Sequence, residues 1–137
     1  MARILSIDYG VRRTGLAVTD PLQIIAGGLT TVQTHFLFDF LKDYFQKETV
    51  ERVVVGLPRQ TNGQESENYA RVQGFVKKFK TLYPNTPIEL WDERFTSVMA
   101  HKAILDSGIG MKARQNKALV DEVSATIILQ GWMEARR

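Results

Sequence analysis

Ile4-Leu5-Ser6-Ile7-Asp8-Tyr9-Gly10, answered by Gly15-Leu16-Ala17-Val18, is the stretch that decides the fold. An apolar strand ends in a carboxylate, a glycine turn follows, and a second apolar run comes back. A carboxylate at the end of a buried strand is costly unless it is paired, hydrogen-bonded or bound to a metal. Asp8 therefore looks like part of a site, although alone it also fits an acid that hydrogen-bonds its own turn.

Outward from this hairpin, the chain reads as a mixed α/β domain. Strand one is expected over 3–8 and strand two over 15–20, stopped by Asp20-Pro21. A third extended segment over 24–33 contains the β-formers Thr30, Thr31 and Val32. Leu37, Phe40, Leu41, Tyr44 and Phe45 recur at helical spacing and predict a helix over 35–48. Val53-Val54-Val55 is continuously apolar, the pattern of a strand covered on both faces. Asn62-Gly63 marks a turn. A second amphipathic helix is expected over 65–82, with Val72, Phe75, Val76, Phe79 and Leu82 inward. After Pro84-Asn85-Thr86-Pro87 comes a fifth strand, Ile88-Glu89-Leu90-Trp91. A short helix from Thr96 or Ser97 to Leu105, a loop at 107–110 and a last helix over 115–135 complete the order βββαβαβαα, a hairpin meander followed by helical crossovers.

The chain has 137 residues, 44% hydrophobic and 24% charged, with no repeat or linker, so one domain over 1–137 with a real core is expected. The absence of cysteine excludes disulfides and thiolate zinc sites, and two histidines are too few for a His-rich metal centre. His35 and His101 match no motif and read as structural. No apolar run approaches the roughly 20 residues that span a bilayer, and residues 1–10 lack a signal peptide's apolar region. The expectation is a cytoplasmic protein with no membrane partner. A net charge of +3 is compatible with nucleic-acid binding without requiring it.

Three carboxylates stand where a sheet edge and a helix could converge. Asp8 ends strand one, Asp92-Glu93 ends strand five, and Asp121-Glu122 lies early in the last helix. Small residues at Ser124 and Ala125 let that helix approach the sheet. Clustered carboxylates repel one another and persist only with cations between them. Hard divalent ions such as Mg²⁺ suit such oxygen sites, and two of them about 4 Å apart support in-line attack on a phosphodiester. Singly, Glu93 could be a surface partner of Arg94, and Asp121 a solvated acid near a helix N-terminus.

The four segments Ile7-Asp8-Tyr9-Gly10-Val11-Arg12-Arg13-Thr14-Gly15-Leu16-Ala17, Val54-Val55-Gly56-Leu57-Pro58 with Asn62-Gly63, Asp92-Glu93-Arg94-Phe95-Thr96-Ser97, and Val120-Asp121-Glu122-Val123-Ser124-Ala125 resemble, in order and over the whole chain, the YqgF (RuvX) proteins. These are relatives of the Holliday-junction resolvase RuvC. The resemblance implies an RNase H-like α/β fold: a five-stranded mixed sheet, antiparallel in strands one to three and parallel in four and five, flanked by helices. It also implies Asp8, Glu93 and Asp121 as catalytic and metal-binding acids, holding two Mg²⁺ or Mn²⁺ ions. The implied activity is metal-dependent endonucleolytic trimming of the 5′ end of precursor 16S ribosomal RNA; some relatives are described as resolving four-way DNA. Phe95 and Ser124 depart from the family's usual leucine and alanine. The second acid comes from the fifth strand, where the fold relatives commonly take it from the fourth.

Around the acids, Gly10 and Gly15 permit a tight backbone. Arg12 and Arg13 could then meet a phosphate with guanidinium forks, Arg13 matching the family position, or form a solvated turn. Arg94 could contact the scissile phosphate or orient a carboxylate. Lys112, Arg114 and Lys117 would draw in a polyanion, or simply form a solvated charge run. Asn62 could hydrogen-bond nucleic acid, or serve its turn alone. The aromatics Phe36, Phe40, Tyr44, Phe75 and Phe79 read as core. A monomer or weak homodimer is expected, the dimer being required for symmetric junction resolution. A catalytically silent RNA-binding module is the alternative from another class. The hairpin also resembles the phosphate-binding turn of sugar kinases and actin-like ATPases, which close a second domain over nucleotide.

Overall fold

The computed structural model describes residues 2–57, 67–92 and 117–136, and side chains for 2–56, 69–92 and 121–136. Five strands form one sheet in the order β3-β2-β1-β4-β5. They are β1 (Arg3–Asp8), β2 (Arg13–Thr19), β3 (Ala26–Gln33), β4 (Val50–Leu57) and β5 (Ile88–Asp92). The first three pair antiparallel; β4 runs parallel to β1, and β5 parallel to β4. The helices are α1 (Leu37–Lys47), entered through a 3-10 turn at Thr34–Phe36, α2 (Glu67–Leu82) and α3 (Lys117–Ala135). Among the described residues no helix is long and apolar enough to cross a membrane.

Alternation along the strands splits the core into two layers. On one face Leu5, Ile7, Leu16, Val53 and Val55 pack with Leu37 and Leu41 of α1 and with Val72, Phe75, Val76 and Phe79 of α2. On the other, Ile4, Ala17 and Val54 pack under Ala125, Ile128, Leu129, Trp132 and Met133 of α3. Val53-Val54-Val55 thus has both faces covered, in an interior strand between β1 and β5, as its unbroken apolarity requires. The far end of α3 is tied to β5 through Glu89. Its carboxylate accepts from Trp132 Nε1 (2.5 Å) and from Arg136 Nη2 (2.9 Å), and the Arg136 guanidinium lies 4.4 Å from the Trp132 ring.

Several boundaries differ from expectation. β2 begins at Arg13, two residues early, because Arg13 and Thr14 pair with Gln33 and Val32 of β3. β4 extends from Val50 to Leu57, since parallel pairing with β1 recruits Val50 and the polar Arg52, with Glu51 at a register shift between them. Leu82 is 51% exposed at the end of α2, pointing away from the face on which Phe79 and Tyr83 pack, and Phe36 is 52% exposed in the 3-10 turn, so neither belongs to the core. The turn at 62–63, the helix from 96 to 105 and the loop at 107–110 lie outside the described residues.

The β2–β3 connection is organised by Asp20. Its Oδ1 accepts from Ile24 N (2.7 Å) and Ile25 N (2.8 Å), closing a turn in which Gln23 has φ 59°. The backbone N–H of Ile25 contributes most to holding the carboxyl below its ordinary value of 3.8.

Candidate active site

Asp8 lies on the α3 face of the sheet by alternation, two residues beyond Ser6 and four beyond Ile4. Ser6 fixes where α3 crosses it: its buried hydroxyl donates to the Ala125 carbonyl at 2.6 Å. Two strand residues advance about 6.7 Å, and one helical turn back from Ala125 to Asp121 advances about 6 Å. The strand therefore delivers Asp8 opposite the turn that carries Asp121.

Gly15 makes this close approach possible. It is the cross-strand partner of Asp8, and a Cβ built on it would sit 2.1 Å from the Asp121 carbonyl oxygen. The α3 backbone thus rests directly on β2 at the position beside Asp8. Ala17, fully buried, continues the same row of small residues under the helix. Gly28 of β3 carries on the track, near the Glu122 and Thr126 side chains.

Arg13, on the same row of β2, donates from Nε to Asp121 Oδ2 at 2.9 Å. The pair is partly shielded, the side chains being 40% and 23% exposed. The loop before it is tight as well: a Cβ on Gly10 would lie 2.2 Å from the Arg13 carbonyl oxygen. Thr34 braces this loop from the end of β3. Its backbone N donates to Arg12 O (2.9 Å), its hydroxyl donates to Gly10 O (2.7 Å), and Thr14 Oγ1 lies 2.9 Å from that hydroxyl. Arg12 and Val11 are exposed at the tip.

Of the expected set, the structure sets Asp121 against Gly15 and Arg13, with Asp8 on the neighbouring strand as the partner of Gly15, and with Gly10 and exposed Arg12 in the adjoining loop. Asp92 follows Ile88 and Leu90, which pack on the α1–α2 side, so alternation gives it the face opposite Asp8. Glu93, Arg94, Asn62, Lys112 and Arg114, and the side chain of Lys117, lie outside the described residues. Among the described residues no three metal-ligating side chains cluster. Ser6 and Thr34 escaped the sequence reading. A polar residue between Leu5 and Ile7 on the α3-facing row was a signal for Ser6; nothing local marks Thr34.

Comparison with known proteins agrees with this architecture. A protein of Phocaeicola vulgatus named "Putative pre-16S rRNA nuclease" is 60% identical over 137 residues, covering 100% of this chain and 99% of the relative. A Flavobacterium johnsoniae protein of the same name is 58% identical with the same coverage. Among solved structures, Thermus thermophilus RuvC in complex with a Holliday junction substrate superposes with a TM-score of 0.62 at 16% identity, over 98% of this chain and 96% of that one. A second T. thermophilus RuvC structure gives 0.59 at 14% identity. The fold is therefore the RuvC-like, RNase H-like one. The family model described as "RuvX: Holliday junction resolvase" matches residues 2–135, and the chain belongs to that family.

Proposed function

We propose that this hydrolase of nucleic-acid ester bonds is a single-domain, divalent-metal-dependent endonuclease. It acts in the cytoplasm on structured RNA, trimming the 5′ end of precursor 16S ribosomal RNA, as a monomer or weak homodimer. One observation carries the reading: the Asp121 backbone rests on Gly15, the cross-strand partner of Asp8, with Arg13 bonded to Asp121. The curated relatives, named for a pre-16S ribosomal RNA nuclease activity, support the choice of substrate.

The donor chemistry fits a hard divalent cation. Both residues offer carboxylate oxygens, and Asp121 already holds a cationic group, the Arg13 guanidinium. Asp8 and Asp121 would hold the metal, with Glu93 as the expected third ligand. Two such ions, when bound, supply an acidified water and charge neutralisation at the scissile phosphate. The chain's own groups do the rest. Arg13 presents a guanidinium fork suited to a phosphate oxygen, and Arg12 adds positive charge at the exposed tip. Thr34 holds the backbone of that loop in place through Gly10 O and Arg12 O. Gly15 and Ser6 fix the separation of the two acids by fixing the height and register of α3. Arg94, Asn62, Lys112, Arg114 and Lys117 are the remaining residues proposed to contact nucleic acid.

The test compares wild type with Asp8→Asn on ribosomal RNA precursor and on four-way DNA junctions, each with Mn²⁺ and with chelator. Cleavage of the precursor that disappears in Asp8→Asn and with chelator is expected, with binding retained. Cleavage by purified Asp8→Asn sinks the mechanism. Preferential, symmetric cutting of junctions replaces the RNA assignment with the resolvase reading that the family description favours. Tight precursor binding without turnover in either metal leaves an RNA-binding module.

A further inference from the structure

Arg13 and Asp121 engage each other through atoms the proposed chemistry needs elsewhere. Asp121 Oδ2 is a metal-donor oxygen, and the Arg13 guanidinium is a phosphate ligand, yet the two are joined at 2.9 Å. We propose that Arg13 is the resident counter-ion of Asp121 and couples cation loading to the arrival of a phosphodiester anion. The proposal rests on the reading of Asp121 as a metal ligand.

The physical argument is one of charge. The pair is positioned by the fold, since Arg13 lies in a paired strand and Asp121 on the helix pressed against that strand. Asp121 is the more shielded partner, at 23% exposure against 40%. Without substrate, the guanidinium partly neutralises the carboxylate and repels a dication approaching the same oxygen. A bond through Nε uses one of the five donors of a guanidinium fork. A phosphodiester anion offers that fork a better-matched acceptor, because arginine binds such oxygens through two parallel N–H bonds. Once the fork turns to the phosphate, Asp121 regains its full charge, and the anion screens arginine from metal. Metal and nucleic acid then favour each other's binding, and by thermodynamic reciprocity each tightens the other by the same factor. The site would hold its cation weakly while idle and firmly when a substrate phosphate is present.

The probe is Mn²⁺, followed by the paramagnetic resonance signal of the free ion, with and without dimethyl phosphate, a diester anion too small to be positioned for cleavage. Wild type, Arg13→Ala, Arg13→Lys and Asp121→Asn are compared after circular dichroism confirms that each is folded. Removing a partly exposed ion pair and a neighbouring positive charge should tighten Mn²⁺ binding about three- to tenfold in Arg13→Ala. Dimethyl phosphate should tighten Mn²⁺ binding to wild type and have little effect on Arg13→Ala. Arg13→Lys, which keeps the charge, should bind Mn²⁺ as weakly as wild type. Asp121→Asn should bind it more weakly than all the others. If Asp121→Asn weakens Mn²⁺ binding while Arg13→Ala is unchanged or weaker, the coupling role is overturned and Arg13 merely orients the carboxylate. An Arg13→Lys protein that binds as tightly as Arg13→Ala also overturns it, because charge is then not the agent. If Asp121→Asn leaves the isotherm unchanged, the metal reading fails and the proposal with it.

Discussion

Gly15→Ala is the most direct probe of how the site is held together. The added methyl would lie 2.1 Å from the Asp121 carbonyl oxygen, 2.4 Å from its carbon and 3.0 Å from its Cβ. Two of those atoms are helix backbone, so no side-chain rotation relieves the clash. Reaching an ordinary contact of 3.4 Å means that α3 and β2 must separate by about 1.3 Å at this point. Ser6 pins α3 to β1 one turn further on, and Glu89 holds its far end, so the strain falls on the turn that carries Asp121. Overpacking of this kind costs about 1–3 kcal/mol. For a chain of this size that lowers Tm by about 3–12 °C. With Asp121 in the catalytic role proposed for it, a displacement near 1 Å should cost on the order of a hundredfold in rate. Denaturant unfolding and single-turnover cleavage measure the two effects. Gly27→Ala is the control, because its added methyl meets nothing within 4 Å and should leave stability unchanged or raise it by up to about 1 kcal/mol. A Gly15→Ala protein within about 0.5 kcal/mol of wild type, the ordinary range for harmless surface changes, would refute the close-approach reasoning.

Thr34→Val keeps the shape of the side chain but removes the hydroxyl that donates to Gly10 O and meets buried Thr14. It should cost about 1–2 kcal/mol in urea unfolding and weaken nucleic-acid affinity through the loosened arginine loop, a change that filter binding would detect. Asp20 has a folded pKa below 3.8 because the Ile25 and Ile24 backbone N–H groups favour its charged form. Its stabilising effect is thus complete above pH 3.8 and fades as pH falls through the lower folded value. Urea unfolding from pH 7 to pH 2.5 should show a shallower acid loss in Asp20→Asn than in wild type; parallel curves would contradict the assignment.

The fold was legible wherever pattern and burial coincide. Val53-Val54-Val55 announced a central strand, and the spacing of Val72, Phe75, Val76 and Phe79 announced the buried face of α2; both packed accordingly. Legibility failed where tertiary pairing overrode local preference. Arg13 and Thr14 look like turn residues, yet the β3 ladder draws them into β2. Phe36 and Leu82 are apolar by type but exposed, although their neighbours Leu37 and Tyr83 pack on the core, because each points off the packed face. Of the site, Asp8 and Asp121 could be nominated from residue type and position. That α3 sets Asp121 beside the β1–β2 pair that carries Asp8 is a matter of register, fixed by the Ser6 hydroxyl and the bare Cα of Gly15, and neither effect is visible in a local window. The Arg13–Asp121 bond spans 108 positions and belongs to the same class.

The hold of Ser6 on Ala125 closes a separation of 119 positions, and that distance sets an order of events in time. Contacts so remote in sequence form late, and a chain leaving the ribosome folds from its N-terminal side first. The β1–β2 hairpin with α1 can collapse on one face of the sheet while α3 is still unmade. During that interval Asp8 has no Asp121 opposite it. The proposed active site is complete only once the last described helix has docked, so on that proposal a half-made chain, still on the ribosome, could not yet cut the RNA around it.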